Sequence, residues 1–322
     1  MNSTAQYRPW VHRCAVLTAA VALLPIGVGA VVTTLDAGMA FPDWPTSDGQ
    51  NMLTYPWLSS AGDKFVEHGH RLAGILIGIA SIVLASVVWI TESRRWVRWM
   101  GVGVLLAVII QGLLGGLRVQ LDERVLAMAH GSTAALVFSL MAALSTVTSR
   151  SWISMTKQEA RTVRLGVVRW LSLVTPIAVL GQYILGGLVR HLGTALYEHL
   201  GTAFIVLLCV LTTAIAAQAT GHRWLRRAGW GLMAIVLVQI TLGAAAWITK
   251  FGFATAGIVA VQHSTPQLMM RTAHAIVGVL TLMSSVVLAL RVTRVAWQQK
   301  REAALGSHAA PPAAVPVQGS VA

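Results

Sequence analysis

Eight stretches of this sequence, residues 14–34, 72–90, 99–117, 128–147, 168–188, 199–219, 229–249 and 272–291, are almost free of charged side chains. Each is long enough to cross a hydrocarbon core of about 30 Å as a helix. No other feature limits the fold so tightly. Inside lipid, every backbone N–H and C=O must find its partner within the protein, and a helix satisfies them within one segment. Only 11% of the residues are charged, against roughly 25% in a soluble domain, which leaves too little polar surface for a water-soluble globule. The expected fold class is an all-α integral membrane protein of eight transmembrane helices, bathed in membrane lipid.

The net charge of +13 would suggest nucleic acid in a soluble protein. Its distribution argues otherwise. The stretches around Arg8 and Arg13, Arg94 to Arg98, Arg150 to Arg169, Arg223 to Arg227 and Arg291 to Arg301 hold 17 basic residues. The alternate set of connections holds 7: Lys64, Arg71, Arg118, Arg124, Arg190, Lys250 and Arg271. The positive-inside rule then puts both termini in the cytoplasm, so nucleic acid is not needed to explain the charge. Cys14 and Cys209 fall in or beside apolar spans, make no metal-type spacing, and read as small buried hydrophobes. The first run lacks a clear small-residue cleavage site, and no Arg- and Ser-rich transit segment precedes it. A bacterial cytoplasmic (inner) membrane is the expected location. Residues 301–322, rich in Ala, Pro and Val at their end, are expected to form a disordered tail.

The spans come as hairpins that resemble one another. Gln111-Gly-Leu-Leu-Gly-Gly-Leu-Arg118, Gln182-Tyr-Ile-Leu-Gly-Gly-Leu-Val189 and Gln239-Ile-Thr-Leu-Gly-Ala244 close the third, fifth and seventh spans. Each leads into a helix with a histidine in its first turns: His130, His199 and His274. The first hairpin joins less tightly, with His70 in Gly69-His70-Arg71. Pro25 and Pro176 also pair in this reading. Residues 1–150 and 151–300 are therefore expected to be two four-helix halves related by a pseudo-twofold axis along the membrane normal. The glycine pairs read first as close-packing positions, and the same closeness would make room for a flat ligand.

A histidine near the end of a membrane helix can simply bond a backbone carbonyl. Four at equivalent places ask for more, because polar side chains in lipid are costly. Two per half suit the two axial ligands of one haem iron. Imidazole also suits copper or zinc, but an apolar bundle offers few oxygen ligands and can bury a large macrocycle. The four histidines would lie toward the non-cytoplasmic, periplasmic side. His68, His191 and His263 fall outside the repeat and read as loop or interface residues. His12, His222 and His308 are cytoplasmic and incidental.

The two halves differ at one point. Only the first hairpin has Glu67-x-x-His70-Arg71, and an i, i+3 spacing puts Glu67 and His70 on one helix face. A carboxylate there can move protons or stabilise developing charge. Arg71 could pair with a haem propionate or with Glu67 itself, the second being a purely structural arrangement. Glu198 directly precedes His199 and points off its face. The long stretch from Asp36 to Val66, with Phe41-Pro-Asp-Trp-Pro45 and Tyr55-Pro-Trp57, suits a stiff cover at the membrane interface above this half.

Taken together, these residues resemble the haem A synthase family over about residues 10–300. Glu67-x-x-His70-Arg71, the three further histidines, the Gly-Gly turns, Ala37-Gly-Met39 and Asp43-Trp-Pro45 carry the likeness. The resemblance implies an enzyme that oxidises a porphyrin methyl of haem O to a formyl by successive hydroxylations, yielding haem A for terminal oxidases. It implies that His70 and His130 flank the substrate haem O and that Glu67 is the catalytic carboxylate. His199 and His274 would ligate a resident haem b that relays electrons. The implied partners are an electron donor of unstated kind, and contacts with a haem O synthase or oxidase-assembly factors. Two departures stand out: the first outer loop lacks a cysteine pair found in many members, and Thr33-Thr34-Leu35-Asp36 lacks an arginine often found there. Two other classes stay open, a bis-histidine electron-transfer cytochrome and a transporter.

The charge asymmetry makes a direct prediction. Alkaline phosphatase fused after Asp122 is expected to be active and the same enzyme fused at the C-terminus inactive. The opposite pattern would reverse the assigned orientation.

Overall fold

A computed structural model describes residues 6–155, 160 and 163–308, without the side chains of 302–308. Eight helices are long and apolar enough to cross a membrane: α1 Pro9–Leu35, α2 Gly62–Thr91, α3 Arg95–Gln120, α4 Arg124–Thr148, α5 Val168–Gly187, α6 Leu196–Ala219, α7 Arg223–Phe251 and α8 Thr265–His308. A π-helical turn, Leu188–Leu192, extends α5. In the first half α1 packs on α2 and α4, and α3 on the same two. The second half repeats this, with α5 and α7 each against α6 and α8. The halves meet where α8 lies against α1 and α4 and the π turn lies against α4. A hydrogen bond of 3.1 Å between Thr34 and Thr272 crosses that seam.

The large apolar side chains face outward, as lipid solvent demands. Ile90, Phe204 and Ile177 are 77%, 75% and 72% exposed within the chain, while Ala, Val and Gly fill much of the helix contacts. Small residues let membrane helices approach until backbones nearly touch. Exposed tryptophans gather mostly at one end: Trp10, Trp89, Trp96, Trp99, Trp170, Trp230 and Trp297 flank the basic connections, while Trp247 stands in the last turns of α7. Arg13, Arg94 and Arg169 lie over the rings of Trp10, Trp96 and Trp170. This belt of aromatic and cationic groups is what the headgroup region favours.

Three boundaries differ from the sequence expectation. Helix α2 starts at Gly62, so Glu67, His68, His70 and Arg71 stand on regular helix rather than before it. At 30 residues, or about 45 Å, α2 is longer than the hydrocarbon core, and its first turns stand in the interface. Arg118 and Arg124 likewise lie in α3 and α4 rather than in loops. Helix α8 runs to His308, into the stretch expected to be disordered; Gln298 to Leu305 is a run of good helix formers. The rest of that tail, 309–322, lies outside the described residues, as do Lys157 and Arg161.

Candidate functional site

Each of the four repeat histidines rests on a glycine of the preceding helix. A Cβ at Gly29 would lie 2.8 Å from His70 Cε1; at Gly115, 3.0 Å from His130; at Gly186, 3.1 Å from His199; at Gly243, 3.0 Å from His274. The missing side chain lets each ring slide over the helix toward the carbonyl one turn earlier. Nδ1 of His70 lies 3.1 Å from Pro25 O, that of His130 3.1 Å from Gln111 O, and that of His274 3.2 Å from Gln239 O. The backbone carbonyl of Gln182 serves His199 in the same way. The acceptor is always the residue four before the glycine. A carbonyl can only accept, so Nδ1 carries the proton and Nε2 keeps its lone pair.

The rings meet in pairs. His70 and His130 have centroids 6.2 Å apart with planes at 89°, and His199 and His274 have centroids 6.3 Å apart at 88°. Two imidazole–metal bonds of about 2 Å, with roughly 1 Å more from each nitrogen to its ring centre, place two axial rings about 6 Å apart. The pairs therefore fit one iron each. Among the described residues no group of three or more His, Cys, Asp or Glu could hold a metal ion, so each pair suits a metal that brings its other ligands with it, as a haem does.

The glutamines that open the repeated motifs complete the seats. Gln111 Nε2 donates to His130 O, and its Oε1 accepts from Thr133 at 2.8 Å. Gln182 does the same for His199 O at 2.7 Å and Thr202 at 2.6 Å. This clasp was missed in the sequence, although Gln-x-x-x-Gly followed by His-x-x-Thr is visible there. Val277 stands where the threonine would be in α8, and Gln239 Oε1 is buried without a hydrogen-bond partner. The second glycine of each pair has a separate use. Gly116 takes the ring of Trp44, and Gly187 takes Met128 of α4 at 3.2 Å. Pro25 and Pro176, paired in the sequence reading, do not share a place: Pro25 supplies the carbonyl under His70, whereas the matching position in α5 is Gln182.

Glu67 and Arg71 form the ion pair that the sequence left as an alternative. Glu67 is 1% exposed; its Oε1 accepts from Arg71 Nη2 at 2.7 Å and Nε at 3.2 Å. Its Oε2 accepts only the longer 3.3 Å bond from Phe41 N–H. Arg71 Nη1 also donates to Asp43 O and Thr46 O at 2.9 and 2.7 Å. The guanidinium, stacked on Phe41, is thus spent on Glu67 and on the outer loop it straps down. His68, expected in a loop, is a wholly buried residue of α2: its Nδ1 meets Ser47 Oγ at 3.1 Å and its ring lies against Tyr55. His191 lies in the π turn with Nε2 facing Gly131 of α4, while His263 is exposed on the loop before α8. Cys14 and Cys209 are both free thiols.

The outer loop has its own fastening. The Asp43 carboxylate accepts from Asp48 N–H at 3.0 Å and Gly49 N–H at 2.8 Å. Slight desolvation acts to raise its pKa, but hydrogen bonds from Thr46, Gly49 and Asp48 outweigh this and hold it below the ordinary aspartate value.

Comparison with known proteins adds two findings. The family described as COX15-CtaA, cytochrome oxidase assembly protein, matches residues 12–201, which include Glu67, His70, His130 and His199. A protein named heme A synthase from Symbiobacterium thermophilum is 27% identical over 258 residues, covering 70% of this chain and 81% of its own length.

Because the depressed carboxylate at Asp43 stabilises only while ionised, its contribution is present above about pH 4 and fades as the pH falls through its lowered folded value. Asp43→Ala should speed amide hydrogen exchange in the loop around Asp48 and Gly49 at pH 7, with the gap from the parent closing in acid. Equal exchange at pH 7 would remove this role.

Proposed function

Since the chain belongs to the COX15-CtaA family of cytochrome oxidase assembly proteins, we propose that it is a haem A synthase, oxidising a methyl group of haem O to the formyl group of haem A. The observation that carries the reading is the doubled histidine pair, each ring held by a carbonyl and a glycine, with ring centroids at bis-axial spacing. The heme A synthase likeness supports the substrate. We assign haem O to His70 and His130 in residues 1–150, and a resident haem b to His199 and His274 in residues 151–300.

When bound, haem b supplies one-electron redox capacity between an external donor and the reacting half. The rest falls to the chain's own groups. The carbonyls under each Nδ1 fix the tautomer and raise the basicity of Nε2, as outer partners of ligating histidines do. Glu67 is the one buried carboxylate beside a histidine pair, and no counterpart stands three residues before His130, His199 or His274. Arg71 holds its Oε1, so Oε2, bound only to the Phe41 N–H, is the atom that takes and returns a proton while the methyl carbon is oxidised. The strapped loop, with Trp44 seated on Gly116 beside the His130 seat, keeps bulk water from that half. The periplasmic side of a bacterial inner membrane, with both termini cytoplasmic, is the orientation this reading adopts. A haem O synthase upstream and oxidase-assembly factors downstream are the partners it calls for.

A second reading, an electron-transfer cytochrome, draws on the same histidines and asks nothing of Glu67 beyond its structural pair with Arg71. Expression with a haem O source and chromatography of the extracted haems separates them. Haem A or its hydroxylated precursor is expected. Folded protein with a Soret band but no modified haem would favour the electron carrier, and folded protein with no Soret band at all would leave the transporter.

Two variants refine the roles. Glu67→Gln should keep its haem spectrum and lose at least about a hundredfold in turnover, the usual scale for losing a positioned acid–base group; unchanged turnover would demote Glu67 to structure. Gly243→Ala pushes a methyl into His274 and should deplete the second-half haem while His70 and His130 still bind. Equal loss at both sites would argue against independent seats.

A further inference from the structure

Beyond the four ligands and Glu67, two arginines stand beside the histidine pairs without a carboxylate in ion-pair contact. Among the described residues the ion pairs are Lys64–Asp48, Arg71–Glu67 and Arg94–Glu92, and none involves Arg118 or Arg190. Arg190 donates only to neutral oxygens: Ala30 O, Thr34 Oγ1 at 2.8 Å and Arg271 O at 3.4 Å. Its neighbour in charge is another cation, Arg271, which stands three residues before His274 and so on the same helix face. Arg118 packs its guanidinium against Gly38 and acts electrostatically on both His70 and His130; Glu67 and Asp122 act on it in turn, but neither pairs with it directly. A cation in a membrane span is expensive unless an anion joins it.

The two arginines follow the seat motif at nearly the same distance in two of the hairpins. Arg118 is seven residues after Gln111 and Arg190 eight after Gln182. The π turn of Leu188–Leu192 offsets the extra residue, since a π turn takes one residue more than an α turn. Each half thus carries an arginine about one turn beyond the glycine seat, on the same helix as that seat.

We propose that Arg118 in the first half, and Arg190 with Arg271 in the second, are the seats for the carboxylate side chains of the macrocycle. The proposal rests on the haem reading above. A guanidinium matches a carboxylate with two parallel hydrogen bonds, and the acidic groups of the ligand supply the directly paired anions that these arginines do not have within the chain. It also moves this role away from Arg71, whose donors are consumed by Glu67 and the outer loop. In the second half the two cations face a ligand carrying two acidic groups, so the charges cancel only when the site is filled.

The test is a titration of purified protein with haem b and with haem b dimethyl ester, whose acidic groups are masked, read by the Soret band. A His70→Ala, His130→Ala background confines binding to the second site, and the native chain with Arg190→Gln serves as a check if that background folds poorly. The parent should prefer the free acid by roughly ten- to hundredfold, the scale of hydrogen bonds to charged groups. Arg190→Gln should lose most of that preference while binding the ester as the parent does, and Arg190→Lys should keep part of it. An undiminished preference in Arg190→Gln would overturn the proposal. So would a variant that loses acid and ester equally, since the arginine would then act through the fold. A parent that binds neither form would overturn the haem reading and the proposal with it.

Discussion

Everything at the centre of this molecule depends on one requirement of lipid: a polar ring placed there must satisfy its own N–H inside the protein. The four histidines meet it identically, by reaching across a glycine to a helical carbonyl one turn away. That bond leaves Nε2 of each ring with its lone pair. Helix packing and small residues at the contacts hold the four rings on their seats, and the clasps of Gln111 and Gln182 add to this at His130 and His199. The two pairs spaced at 6.2 and 6.3 Å are the outcome.

Against that shared frame, the halves diverge through what is added to them. The first half carries Glu67, buried and tied to Arg71, and a loop of Asp36 to Ala61 folded over it. Among the described residues the second half has no such buried carboxylate and no loop of that length. On the proposed reading, a common scaffold for gripping a flat ligand is combined with one set of groups suited to acid–base work. The difference in function proposed for the halves follows from these additions rather than from the seats.

Much of this was legible in the sequence. Eight apolar runs gave the spans, and the spacing of Gln, Gly-Gly and His showed that the hairpins repeat. What the sequence did not show were the directions of side chains. Gly115 and Gly186 read as packing positions because a missing side chain says nothing of what fills its place. The clasps of Gln111 and Gln182 depend on contacts about twenty residues away across a loop. His68 looked like a loop residue because α2 was taken to begin at the apolar run. Its first turns are polar, since they stand in the interface and face the folded loop. Arg190 could not be matched to Arg118 without the extra residue of the π turn, which no composition signals.

The seat under His70 differs from the other three in its backbone as well as in lacking a glutamine. Its carbonyl belongs to Pro25, and a proline has no N–H to give to the turn before it. Helix α1 therefore lacks one of its own rungs just where it carries the ring, whereas Gln111, Gln182 and Gln239 keep theirs. On the proposed reading this asymmetry sorts tenants from residents. The molecule that must leave after every reaction lies against a seat whose own rung is missing, whereas beside the cofactor that stays the proline, Pro176 of α5, stands six residues before the seat carbonyl.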